Sequence, residues 1–224
     1  MHMLSPSLTS SPAAPTIPVR VSEMLFSKLC HDLASPASAT QNGIELLSDE
    51  DGGMAKDALE LIQQSSSVVT HRLKYYRLCY GTASGSSSLN AEQTKHTVQN
   101  FFKSEHRLMI KFGDMAEGLS AESKKLLFNL VLCAADALTH GGTIVISTAI
   151  ERLTVAAFSE NPAKPPKEEA LVLYDETTTL PADLSPYNVQ SFYTGYLAFT
   201  LQAVLLKERT DASILTFTAA LPPQ

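Results

Sequence analysis

The 224-residue sequence has no apolar run approaching the roughly 20 residues that a membrane-spanning helix requires, so no membrane partner is expected. It also lacks an excess of positive charge. Seventeen Lys and Arg stand against 23 Asp and Glu, a formal net charge of −6, and the basic residues form no stripe. That balance argues against nucleic acid as the main ligand. Cysteine is scarce: Cys30, Cys79 and Cys133 are odd in number, far apart and set in apolar helical stretches, and they read as reduced thiols. No CxxC pair or His/Cys cluster offers metal-ligand spacing, so no metal site is expected. The first residues have neither the basic nor the apolar region of a signal peptide, and the expected location is the cytoplasm.

What is present is enough apolar material, 44% of the residues, for one fair-sized core or two small ones. Residues 1–19, "MHMLSPSLTSSPAAPTIPV", are rich in Pro and Ser without periodicity, which predicts a disordered tail. Helical spacing of apolar residues begins near Ser22 and runs to Ser48, where "DEDGG" (49–53) supplies a C-cap and turn. A second helix carries Leu59, Ile62, Ser66, Val69, Leu73, Tyr76 and Tyr80 at steps of three and four, a heptad stripe flanked by Leu61, Val68, Tyr75 and Cys79. Residues 20–81 thus read as an antiparallel helical hairpin with more apolar surface than one partner helix can cover. Either a second copy completes a four-helix bundle, or the hairpin packs on its own C-terminal domain.

The Gly/Ser-rich stretch "GTASGSSSL" (81–89) ends the helical region, placing a linker at 82–89 and a second domain at 90–224. There the pattern predicts a helix over 90–102, a strand in "HRLMIKF" and a long helix from Ser120 to Thr139. It continues with a hairpin of "TIVISTAI" and "LTVAAFS" turning at Glu151 and Arg152, and a strand in "ALVLYD" (170–175). A helix capped by Ser185 and Pro186 is expected to reach about Leu206, and "SILTFTAAL" closes the chain as a strand. The fold class is therefore α+β: a helical hairpin followed by an α/β sandwich, a mostly antiparallel sheet with helices on one face.

One residue of the first helix stands apart. Leu29, Leu33, Pro36, Thr40, Ile44 and Leu47 fall within roughly a third of the helix circumference, and His31 lies about 160° to 200° away. Its neighbours on that side, Ser27, Ala34, Ser35, Ser38 and Asn42, are small or short and polar. Two readings are open: an incidental surface histidine, or an imidazole displayed so that it can enter another protein's active site. Neutral imidazole attacks phosphorus without losing a proton first. A carboxylate at Asp32 that accepts from Nδ1 would present Nε2 outward. Lys28, one turn earlier, is placed to neutralise phosphoryl oxygens. Pro36 removes a backbone donor just beyond the site. His71, Arg72, Lys74 and Arg77 on the second helix form a basic face, either solvated or facing an acidic partner.

The string "HDLASP" (31–36) resembles the H-box of two-component sensor histidine kinases, and its place on the first helix of a hairpin followed by an α/β sandwich fits that order. The longer context, "SKLCHDLASPASATQNGIELL" with "LLFNLVLCAADAL" and "VQSFYTGYLA", is similar to bacterial histidine phosphotransferases. The resemblance implies a homodimer with His31 as phosphoryl carrier, and roles for Asp32 and for Ser35, whose kinase counterpart positions water. It implies partners as well: receiver domains of a hybrid histidine kinase and of response regulators that control the cell cycle. Where a kinase sandwich carries an Mg²⁺-holding Asn, in a pattern like N-L-x-x-N-A, "NLVLCA" keeps Asn129 and Ala134 but puts Cys133, a poor ligand for a hard cation, at the metal position. "DETTT" (175–179) has threonine where a kinase has glycines, and no Gly-rich lid remains. The expected function is histidine phosphotransfer without ATP, with no cofactor in this chain and Mg²⁺ supplied by the receiver. The alternatives are an ATP-dependent kinase core and a non-catalytic scaffold derived from one.

Overall fold

Helix α1 (Val19–Ser48) and helix α2 (Ala55–Tyr80) lie side by side as the expected hairpin. The computed structural model describes residues 17–48, 54–82, 89–175 and 178–223. Of the tail expected over 1–19, residues 1–16 lie outside the described residues, while Val19 already opens α1. The "DEDGG" turn, linker residues 83–88 and two residues of "DETTT", Glu176 and Thr177, are outside them too. The helices meet closely at Gly43, where an added Cβ would stand 2.7 Å from Ile62 Cγ1 and 3.2 Å from the Ala58 carbonyl. One turn nearer His31, the hydroxyls of Thr40 and buried Ser65 join across the pair at 2.8 Å.

Beyond the linker come α3 (Ala91–Phe102), β1 (Leu108–Met115), α4 (Ala121–Ala137), β2 (Gly142–Ala149), β3 (Arg152–Phe158), α5 (Val189–Thr200), β4 (Val204–Asp211) and β5 (Ile214–Ala220). Local chemistry sets the helix starts. Asn90 and Gln93 form a capping box on α3, and the Ser120 hydroxyl accepts from the Ser123 N–H at the start of α4. The five-stranded sheet has the order β1-β2-β3-β5-β4; β1 pairs parallel with β2, and the other pairs are antiparallel. Alternate residues of β2, β3 and β5, among them Ile144, Ile146, Leu153, Val155, Leu215 and Phe217, are buried in the core. The β2–β3 turn falls on Ile150 and Glu151, since Arg152 already pairs with Ala149.

Two expectations fail in this domain. "ALVLYD" is not a strand: Glu168–Ala170 make a 3₁₀ turn, and residues 171–175 run without ladder pairing. Its apolar residues cross α5 instead, so near Gly195 that a Cβ there would be 2.2 Å from the Val172 carbonyl. The helix expected over 185–206 is shorter, Val189–Thr200, with Asn188 rather than Ser185 at its N-cap and no side-chain cap bond. The chain reverses at Gln202, whose φ is +53°, and "VLLKERTD" becomes edge strand β4. Helix-forming Leu, Lys and Glu are overridden there by pairing with β5.

The open end of α2 is anchored in the second domain. Tyr75 stacks on Phe101 at 4.1 Å, meets Phe102 and Phe128 edge-on, and donates from its hydroxyl to the Phe128 carbonyl at 3.0 Å. Tyr80 donates to Gln190 Oε1 at 2.6 Å. Burying such aromatic surface is the main force holding hairpin to sandwich.

Candidate functional site

His31 stands on α1 with its side chain 80% exposed, and its Nδ1 lies 3.3 Å from Asp32 Oδ1. Ser27, Ala34, Ser35, Ser38 and Asn42 are exposed on the same helix, so the predicted small-residue surroundings reach solvent with the imidazole. Asp32 turns the other way, toward the protein, and its side chain is 24% exposed. Its Oδ2 accepts from the buried Tyr76 hydroxyl at 2.6 Å and lies 3.9 Å from Lys28 Nζ. Burial first, and the Asp32 carboxylate second, push the Tyr76 phenol far above its ordinary range, so it remains a neutral donor.

Lys28 is drawn inward with Asp32. Its side chain is 19% exposed, and Nζ lies between Asp32 and Asp136 of α4, 4.0 Å from Asp136 Oδ1. Burial raises the Asp136 pKa and Lys28 opposes that rise. Arg72 donates through Nη1 to the Asp32 carbonyl and through Nη2 to Glu105 Oε1 at 3.1 Å. Arg107 Nε lies 3.8 Å from the other Glu105 oxygen. These groups line a cavity of about 150 Å³ between hairpin and sandwich.

Arg72 and Tyr76 thus join a site that sequence reasoning assigned to α1 alone; it put Arg72 on a basic face and Tyr76 in an apolar stripe. Glu105 and Asp136 were not singled out, because their sequence distance from His31 hides the contact. The one available signal was Pro36, which leaves the Asp32 carbonyl without a helical donor.

The kinase-like positions of the sandwich are engaged in packing. Asn129 is wholly buried; its Nδ2 donates to the Cys79 carbonyl at 3.0 Å and the Lys125 carbonyl at 2.8 Å, and its Oδ1 accepts from Gln190 at 2.9 Å. Cys133 is also buried, 3.2 Å from Thr194 Oγ1, and burial raises its thiol pKa. Among the described residues no group of three or more His, Cys, Asp or Glu is arranged to hold a metal ion. No described helix is long and apolar enough to cross a membrane.

An outward histidine on a helical hairpin, followed by an α/β sandwich, is the arrangement that the H-box resemblance implied. Residues 91–213 match the family model described as the histidine phosphotransferase C-terminal domain. Protein phosphotransferase ChpT of Brucella abortus (strain 2308) is 30% identical over 182 residues, 78% of this chain and 83% of that protein. A solved bacterial phosphotransferase superposes with a TM-score of 0.70 at 23% identity, covering 92% of this chain and 98% of the other. The chain belongs to the histidine phosphotransferase family and acts as a phosphotransferase in a phosphorelay.

Proposed function

We propose that His31 is the phosphoryl carrier. It takes the group from the receiver domain of a hybrid histidine kinase and passes it to receiver aspartates of response regulators, without ATP. The observation that carries this reading is the imidazole, 80% exposed, with Nδ1 on Asp32 and Nε2 left free. The Nε2 lone pair attacks phosphorus in line; the N–P bond forms as the bond to the receiver's aspartyl oxygen breaks, and that electron pair stays on the receiver carboxylate. The proton on Nδ1 does not move, so the ring becomes cationic and Asp32 offsets its charge. Reversal of the same steps hands the group to the acceptor. Ser27, Ala34, Ser38 and Asn42 provide a low rim for the incoming receiver, and Ser35 and Lys28 lie within a turn of the histidine.

Mg²⁺ is assigned to the receiver's own acidic pocket, where it neutralises phosphoryl charge. The ATP-free part of the reading is supported by Asn129 and Cys133, whose polar atoms are engaged with Cys79, Lys125, Gln190 and Thr194. Equilibrium dialysis with Mg·ATP is expected to give no saturable uptake.

A homodimer is the second part of the proposal. Phe26 and Ile44 lie roughly five helical turns apart on α1, and Leu59 and Leu73 roughly four on α2. They are 67%, 46%, 50% and 48% exposed, too much apolar surface for a lone hairpin to leave in water. A second hairpin would close them into a four-helix bundle. The test of the carrier is transfer of labelled phosphate from an isolated phosphorylated receiver domain. Acid-labile label on the wild type and none on His31→Ala is expected, and label on His31→Ala would overturn the assignment.

A further inference from the structure

A proline inside a helix leaves one carbonyl without its donor, the one four residues earlier. Pro36 frees the carbonyl of Asp32, the residue beside the carrier histidine. In this fold that carbonyl is taken by Arg72 from the neighbouring helix, and the same guanidinium reaches Glu105 in the second domain. One turn along α2 from Arg72, Tyr76 holds the Asp32 carboxylate at 2.6 Å. Lys28 lies 3.9 Å from that carboxylate and 4.0 Å from Asp136 in the second domain. Asp32 is therefore held at backbone and side chain by three hairpin residues. Two of them are cations, and each leads to a carboxylate of the sandwich.

We propose that Arg72 and Tyr76 are positioning residues for phosphoryl transfer, and that the sandwich, through Glu105 and Asp136, fixes Asp32 so that His31 keeps its proton on Nδ1. The inference rests on reading His31 as the carrier. Neutral imidazole has two tautomers, and only the one protonated on Nδ1 has a nucleophilic lone pair on outward Nε2. His31 itself, being exposed, has little packing to select its ring orientation or its proton. The selection comes from Asp32, and Asp32 has a defined rotamer because Tyr76 and Lys28 occupy its second oxygen while Arg72 grips its carbonyl. Three cations, Lys28, Arg72 and Arg107, face three carboxylates, Asp32, Glu105 and Asp136, so the network is near neutral and tolerates its partial burial. This gives the sandwich a task in transfer that requires no nucleotide.

Tyr76→Phe is the decisive variant, since it removes one hydroxyl and keeps the ring against Tyr80 and Phe101. Two quantities are read in the full chain: phosphoryl uptake from a phosphorylated receiver domain over a range of receiver concentrations, and the ¹⁵N shifts of His31 with its ring neutral. The expected result is about a tenfold fall in maximal rate at an unchanged half-saturating concentration. A visible fraction of the Nε2-protonated tautomer accompanies it. Glu105→Gln is expected to move both readouts the same way by about two- to threefold. A folded Tyr76→Phe protein with wild-type tautomer populations overturns the proposal, whether or not its rate falls, because a merely structural hydroxyl would leave the ring proton alone. Should Tyr76→Phe not fold, the Glu105→Gln, Asp136→Asn double variant supplies the same two readouts, and wild-type values in both overturn it. Uptake by His31→Ala would remove the carrier assignment but leave the tautomer measurement standing, so the two failures are distinguishable.

Discussion

On the side that carries Tyr75, helix α2 buries Tyr75, Tyr76, Leu78 and Cys79 against the second domain, while on the side that carries Leu59 and Leu73 the same helix leaves its apolar side chains half exposed. The covered half is aromatic and polar at its edges, with the Tyr75, Tyr76 and Tyr80 hydroxyls all bonded. The open half is aliphatic, and the hydroxyls of Thr40 and Ser65 join across the hairpin. The two halves carry one heptad pattern, so periodicity does not distinguish a face that meets its own domain from one that awaits a second copy. His31, on α1, is exposed, but Asp32 next to it is tied to Arg72 and Tyr76 of α2. Its surroundings are therefore set by the sandwich more than by the exposed stripe.

The contrast is best broken at its chemical end. His31→Ala is expected to abolish acid-labile labelling while leaving the circular dichroism spectrum unchanged, since an exposed imidazole contributes little to packing. On the covered half, Tyr75→Ala empties the space between three phenylalanine rings and removes the hydroxyl that donates to the Phe128 carbonyl. A loss of about 3–5 kcal/mol is expected, read as a lower midpoint in urea with the slope retained. On the open half, a Leu59→Lys, Leu73→Lys double variant should cost the monomer little and weaken self-association by about a hundredfold. Sedimentation equilibrium measures it, and a monomeric wild type at high concentration would sink the bundle.

The smallest expected effect concerns Asp136. Its folded-state pKa is raised above the ordinary 3.8, chiefly by burial, so the native state holds that proton more tightly than the unfolded chain. The stability associated with its proton is therefore present at low pH and is lost as pH rises from about 3.8 through the higher native value. Asp136→Asn should remove that slope, and urea midpoints of the two proteins should diverge across the window and run parallel above it.

Much of the chain was legible where one short-range signal decided the outcome. The helices expected from about Asn90 and Ser120 begin there, and the strands expected in "TIVISTAI" and "LTVAAFS" are β2 and β3. The failures share a cause. "ALVLYD" has a strand's composition but lies across α5 at Gly195, and "VLLKERTD" has a helix's composition but finds an open edge beside β5. In both, a neighbour far away in sequence supplied more free energy than local preference.

At the site, the sequence by itself determined that His31 points away from the apolar stripe, that an acid follows it, and that Pro36 leaves a carbonyl to be claimed. Helical geometry and the missing proline N–H are local, so they can be read without a fold. Only the tertiary structure decided who claims that carbonyl and who holds that acid. Arg72, Tyr76, Glu105 and Asp136 come from other elements, and their contacts exist because the Tyr75 cluster clamps the hairpin to the sandwich. A hydrogen bond requires its partners at about 3 Å, and nothing in the order of residues along a chain carries that distance across 33 positions or more.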